Sequence, residues 1–246
     1  MLWFLIASFV IVLVASAAQA VTGFGFALLA VPLLATVADA PTAVVGTSVV
    51  GLVPTLVTAV RDQGSVAWRA VWLLLTAAVF GMPVGLVILR TAPESVLIVL
   101  IAAVVVGCTL IVWRPPPLPR FAISNHRVAL GAVGVLTGVL TTSTGTNGPP
   151  LVAAFTALGF APRALRATLA AVFLGTGVIG AAGFVIAGAV TERASLVALV
   201  GLPAAVLGWL AGDRLFARLN GETLRRVLLA ALVACCLVSV GRVVVG

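Results

Sequence analysis

The stretch 128–162, VALGAVGVLTGVLTTSTGTNGPPLVAAFTALGFAP, carries no charged residue from Val128 to Pro162. A helix needs roughly 20 apolar residues to cross about 30 Å of hydrocarbon, so this run is too long for one crossing. Its middle, Thr144-Gly145-Thr146-Asn147-Gly148-Pro149-Pro150, combines two glycines with a Pro-Pro pair, and both residue types break helices. The run therefore reads as a helix, a non-helical break and a short second helix. Met1–Ala38 has the same design, with Thr22-Gly23-Phe24-Gly25 as its break.

Between and beyond these two runs lie further uncharged stretches: Thr42–Val60, Ala70–Leu89, Ser95–Trp113, Ala167–Thr191, Ala194–Gly212 and Val227–Gly241. Each reads as one crossing, the last only if it borrows from its flanks. The composition agrees. Hydrophobic residues make up 63% of the 246 and charged residues only 8%, against about 25% charged in a soluble domain. Mean hydropathy is +1.32. Too few charges remain to cover a water-facing surface, so the fold class expected is all-α, a polytopic integral membrane protein. Met1–Ala20 ends in Ala18-Gln19-Ala20, which mimics a signal-peptidase site. It lacks a basic n-region and its apolar stretch exceeds a usual h-region, so it is read as a transmembrane helix.

The net charge of +8 comes from 14 basic residues, all of them Arg. They sit in the breaks between apolar runs, as positive-inside anchoring places them, and form no single-faced nucleic-acid footprint. No nucleic-acid partner is expected; the lipid bilayer is. Cys108, Cys235 and Cys236 lie within apolar runs as small hydrophobes without metal-ligand spacing. His126 sits in the longest polar break and reads as a surface residue. No metal site and no cofactor are expected.

The paired breaks suggest an internal duplication. Pro41-Thr42-Ala43-Val44-Val45-Gly46-Thr47 recurs as Pro162-Arg163-Ala164-Leu165-Arg166-Ala167-Thr168, and Gly81-Met82-Pro83-Val84-Gly85 pairs with Gly208-Trp209-Leu210-Ala211-Gly212. Two halves follow, residues 1–113 and 128–246, joined by a cytoplasmic linker, 114–127. The basic breaks are Arg61–Arg69, the linker, the Arg163/Arg166 turn and Arg214–Arg226. Placing all four in the cytoplasm makes Val128–Pro162 enter and leave on that side, and the N-terminal pair do so on the other. Each half is then a broken-helix hairpin plus three crossings, and the halves are inverted repeats. A parallel duplication would put Arg214–Arg226 outside.

A break at membrane depth leaves backbone groups unpaired at several kcal/mol each in hydrocarbon, so it persists only when buried in protein or lining a wet cavity. Two of them are the pattern of secondary transporters, with substrate at the repeat interface. Helix N-termini carry about +0.5 charge and favour anions. The hydroxyls of Thr22, Thr141, Thr142, Ser143, Thr144 and Thr146 and the Asn147 amide add neutral donors, while Gly23, Gly25, Gly145 and Gly148 let a ligand approach the backbone. With Phe24 and Pro149, these are the candidate substrate-binding residues. The repeat-equivalent Thr47 and Thr168 fit cavity lining and helix packing equally well.

Thr22-Gly23-Phe24-Gly25-Phe26 followed by Pro32 resembles the first signature of the TauE/SafE family of sulfite and organosulfonate exporters, and Thr144–Pro150 looks like the second. The resemblance covers essentially the whole chain. It implies a transporter of a small sulfur-containing anion such as sulfite, sulfoacetate or another organosulfonate, in the bacterial inner membrane. Thr146 and Asn147 depart from the glycines common in that second motif. Homo-oligomerisation is compatible with this class. The alternatives are a passive anion channel, a transporter of a non-sulfur organic acid, and a structural subunit, for which duplicated breaks would serve no purpose. An intramembrane protease would need a Ser–His pair or two embedded Asp residues, and the apolar runs hold neither.

Overall fold

A computed structural model describes residues 1–22, 25–113 and 126–216, together with Val233. Among these residues all regular structure is helical: α1 Leu2–Thr22, α2 Phe26–Leu34, α3 Ala40–Val50, α4 Leu52–Arg61, α5 Trp68–Thr91, α6 Glu94–Trp113, α7 His126–Ser143, α8 Gly148–Ala157, α9 Pro162–Ile186 and α10 Glu192–Phe216. Five segments are long and apolar enough to cross a membrane: Leu2–Ala20, Ala40–Arg61, Trp68–Thr91, Arg163–Ile186 and Glu192–Arg214. Large apolar side chains point outward along them. Phe80 is 77% exposed and Ile186 87%, which suits a lipid environment and no aqueous one. The chain is a multi-pass membrane protein. The linker Arg114–Asn125 and the expected last crossing, Val227–Gly241, lie outside the described residues.

Both long uncharged runs are broken helices, as the sequence predicts. α1 and α2 are separated by a break that closes on Gly25 at φ 108°, and α7 and α8 by one containing Gly145 at φ 68°. Left-handed backbone is costly for residues with a Cβ, so glycine is required at each point where the chain reverses. The stretch Thr42–Val60 lies in one membrane-length span, as expected, but the span is interrupted. It is two helices meeting at Gly51, whose backbone stays helical (φ −61°, ψ −17°). Pro54 cannot donate to the Val50 carbonyl, and the next ladder bond, Thr55 N–H to the Gly51 carbonyl, is long at 3.4 Å. The result is a proline-induced interruption in a nearly continuous span.

Two helix pairs dominate the packing: α1 with α10, and α5 with α7. Within each, the backbones touch through the small-residue motifs. A Cβ on Gly208 or Gly212 would overlap the carbonyls of Leu13 or Ala17, and one on Gly81 or Gly85 the carbonyls of Val135 or Val139. Contact positions advance together along each pair, so the helices of a pair run in the same direction. Close approach of this kind replaces the hydrophobic drive that lipid cannot supply between helices. Ser16 Oγ donates to the Ala205 carbonyl at 2.6 Å and Thr142 Oγ1 to the Met82 carbonyl at 2.8 Å, adding one cross-helix hydrogen bond to each pair.

The buried apolar side chains form two clusters. One unites α1, α2, α3, α6 and α10 around Leu34, Val44 and Val197; the other unites α5, α7, α8 and α9 around Leu74, Leu151, Phe155 and Leu169. At one end of the molecule two ion pairs tie the breaks together, Arg61 to Asp213 and Arg166 Nε to Asp62 at 3.4 Å. At the other end Asp39 caps α3 by accepting from Thr42 N–H (2.8 Å), and Thr191 caps α10 by accepting from Ala194 N–H (3.1 Å). The hydroxyls of Thr42 and Thr191 meet at 3.4 Å. Three of the four basic breaks thus share one end, with the near-neutral breaks at the other.

Candidate functional site

The two helix breaks converge on a cavity of about 70 Å³. At about 10–15 Å³ of such space per water molecule, it has room for a small anion and not for a large organic ligand. Gly25 to Leu28 from the first break line it, as do Thr141 and Gly145 to Gly148 from the second; Gln19 of α1 and the kinked span with Thr47, Ser48, Gly51 and Thr55 form another side, and Phe173 and Gly177 of α9 complete it. Every lining residue is neutral.

The hydroxyls in this wall are less available than the sequence suggests. Thr47 Oγ1 donates to the Ala43 carbonyl (2.6 Å), Ser48 Oγ to Val44 (2.7 Å), Thr55 Oγ1 to Gly51 (2.6 Å) and Thr141 Oγ1 to Thr137 (2.7 Å). Such back-bonding is the usual fate of Ser and Thr in apolar helices. Asn147 is similarly committed: its Nδ2 donates to Thr141 Oγ1 at 2.8 Å and Thr176 Oγ1 at 3.2 Å. It braces the ends of α7 and α8 against α9 and so sets the shape of the second break.

Donors for an anion come chiefly from the first break. The first three amides of α2, on Phe26, Ala27 and Leu28, have no acceptor within the helix, and all three residues line the cavity. α8 offers much less at its start, because Pro149 and Pro150 follow Gly148 and carry no N–H. Gln19 is the second source. It is 3% exposed, and its Nε2 donates to Thr55 Oγ1 at 3.1 Å; a primary amide nitrogen has two protons, so one is left for a ligand.

Of the residues predicted from sequence, the structure brings Gly25, Thr47, Thr141, Gly145, Thr146, Asn147 and Gly148 to the cavity. Gly145 also lets the second break lie close to α2 and α3, since a Cβ there would stand 3.2 Å from Val31 Cγ2 and 3.8 Å from Thr47 Oγ1. Thr142, Ser143, Thr144 and Pro149 are buried beside the site but do not line it. Ser143 Oγ donates to the Val139 carbonyl at 2.7 Å, and the Thr144 and Thr146 hydroxyls meet at 2.9 Å. Thr168 sits elsewhere, accepting from Ala67 N–H at 3.1 Å just before α5. It does not line the cavity, whereas Thr47 does. Gly23 and Phe24 lie outside the described residues, and Thr22 enters only as the last backbone position of α1.

Sequence reasoning missed Gln19, Phe26, Ala27, Leu28, Ser48, Gly51, Thr55, Phe173 and Gly177. One signal was present for Gln19: it and Asn147 are the two side-chain amides inside the uncharged runs. The others resemble ordinary packing residues until the Gly51 kink turns them to one point.

Two glycine-closed breaks thus share one neutral cavity, and residues 8–238 match the family described as Sulfite exporter TauE/SafE. The chain belongs to that family. Comparison with curated proteins and with solved structures gave no match. Membership makes the chain a membrane transporter of the TauE/SafE type and accounts for 231 of its residues, from α1 to beyond α10.

Proposed function

We propose that this protein is a secondary transporter that exports a small sulfur-containing oxyanion, sulfite or an organosulfonate, across the bacterial inner membrane by alternating access. The observation that carries the reading is the neutral cavity lined by the first turn of α2 and by Gln19. Aligned backbone amides and a helix N-terminus hold an anion without an ion pair, and a ligand held that way can also leave. A passive channel would have less use for a pocket this small. No carboxylate lines the cavity, so coupling through the substrate's own protonation fits better than an intramembrane acid relay.

The reading includes two inverted repeats, residues 1–113 and 128–246, with the basic breaks in the cytoplasm. The reciprocal pairing of α1 with α10 and of α7 with α5 supports it, as does the shared end of Arg61, Arg166 and Asp213. A cysteine at Arg163 should react with a membrane-impermeant thiol reagent only from the cytoplasmic side, and one at Glu192 only from outside. The reverse pattern would overturn the orientation, and labelling of cysteines at Asp39 and Arg163, which open the repeat-equivalent helices α3 and α9, from the same face would overturn the inversion.

The function itself is tested by thermal-shift titration of the purified protein with sulfite, methanesulfonate, sulfoacetate, acetate and chloride. Binding stabilises the folded state by RT ln(1 + [L]/Kd), about 2.7 kcal/mol at a hundred times Kd. Sulfite and methanesulfonate should raise the melting temperature in a saturable way, and sulfoacetate, with its second charge, much less. A larger shift with acetate would move the substrate to the carboxylic acids; no shift with any of them would remove the cavity from the binding role.

A further inference from the structure

We infer that the cavity selects singly charged oxyanions, so that the transported form of sulfite is hydrogensulfite and the dianions of sulfite and sulfate are rejected. The inference rests on the anion-site reading above and deepens it.

The reason is charge balance. The positive potential available is that of one helix N-terminus, α2, equivalent to about half an elementary charge, plus neutral amide and hydroxyl dipoles. Among the described residues no Arg or Lys lines the cavity. Around it, α1 from Leu2 to Thr22, α2 and α8 contain no charged residue at all. The charged groups on the remaining elements sit at their ends. Asp39 caps α3 through Thr42. Arg61, following the kinked span, is paired with Asp213. Arg127 and His126 stand at the start of α7 and Arg163 at the start of α9.

Arg166 reaches toward the lining, and Asp62 stands opposite its charge. Its Nε faces Asp62 at 3.4 Å, and its terminal nitrogen donates to the Ala20 carbonyl at 3.4 Å, one residue beyond Gln19. In a site of low effective dielectric, the second charge of a dianion would lose its water without gaining a counter-charge. A monoanion needs only the dipoles that are there. Size gives no such discrimination, because sulfate and methanesulfonate have the same number of heavy atoms and the same tetrahedral outline.

The test uses the unaltered protein and three probes: methanesulfonate, always a monoanion; sulfate, a dianion across the working range; and sulfite, whose second ionisation falls near neutral pH. Affinities are measured by titration at several pH values from mildly acidic to mildly basic. Sulfate should bind on the order of a hundredfold more weakly than methanesulfonate at every pH. Sulfite affinity should fall about tenfold per pH unit above its second ionisation, because only the shrinking monoanion fraction binds, while methanesulfonate stays level. Sulfate binding as tight as methanesulfonate, or sulfite affinity that is flat or rises with pH, would overturn the selectivity and leave the anion site standing. Absence of binding by all three would overturn both. If methanesulfonate affinity fell in parallel with sulfite, a protein group would be titrating and the charge-balance account would be wrong.

Discussion

Replacement of Gly208 by valine is expected to abolish the folded transporter. A Cβ at this position would lie within bonding range of the Leu13 carbonyl oxygen. The obstacle is backbone on a packed helix, so no rotamer change can relieve it. Overpacking in ordinary cores costs about 1–3 kcal/mol, and here α1 and α10 must separate along their contact, taking the Ser16–Ala205 hydrogen bond with them. Gly138→Val, which meets the Ala78 carbonyl on α5, should fail in the same way. Gly107→Val and Gly131→Val have nothing within 4 Å of the added Cβ and serve as controls with near-normal yield. The measurement is monodisperse protein recovered after detergent extraction. Equal recovery of Gly208→Val and the controls would mean that the helix pairs are not held by close backbone approach.

The second large effect is at the cavity. Gln19→Leu keeps the approximate volume and removes the one side-chain amide in the wall with a donor to spare. Hydrogen bonds to charged groups contribute about 1.5–3 kcal/mol, so anion affinity should fall roughly 10- to 100-fold. Stability should change little, because Thr55 Oγ1 keeps its bond to the Gly51 carbonyl. Asn147→Leu confounds the two effects. It removes the braces to Thr141 and Thr176 and should lower both the melting temperature and the affinity. Thr168→Val separates the site from its surroundings: it deletes the acceptor for Ala67 N–H and should cost about 1 kcal/mol of stability with affinity intact. If Gln19→Leu bound as tightly as the parent while Thr168→Val did not, the site assignment would be wrong.

These variants also show where the sequence could be read and where it could not. The spans and the two breaks were legible because charge is excluded from hydrocarbon, which leaves long uncharged runs, and because Gly and Pro punctuate them. The small-residue pairs Gly81/Gly85 and Gly208/Gly212 were legible as matching motifs. That each belongs to a contact with the hairpin helix of the other half was not, since GxxxG spacing names no partner. The Gly51 interruption escaped because one glycine and one proline in an apolar run do not disrupt its hydropathy.

At the site, the run of hydroxyls from Thr141 to Thr146 promised a bed of donors. Whether a threonine proton faces a ligand or its own helix depends on a rotamer, and the rotamers that the structure shows send most of these protons to carbonyls four residues back. Gln19 was hidden for a different reason. Its neighbours Ala18 and Ala20 gave it the look of a processing site, and its place opposite Thr55 exists only once α1 has met the kinked span. Thr47 and Thr168 were equivalent on paper. The distinction between them is positional: one stands at the cavity, the other caps the turn before α5.

The most direct measurement is the position of a bound anion. Selenite has the charge and shape of sulfite, and selenium is located unambiguously by its anomalous scattering. In crystals grown at mildly acidic pH with selenite, the account predicts one selenium peak in the cavity between the two breaks, with selenite oxygens within hydrogen-bond distance of the Phe26–Leu28 amides and Gln19 Nε2. A peak confined to the Arg-rich end of the molecule, or an empty cavity in a protein that binds selenite in solution, would contradict it.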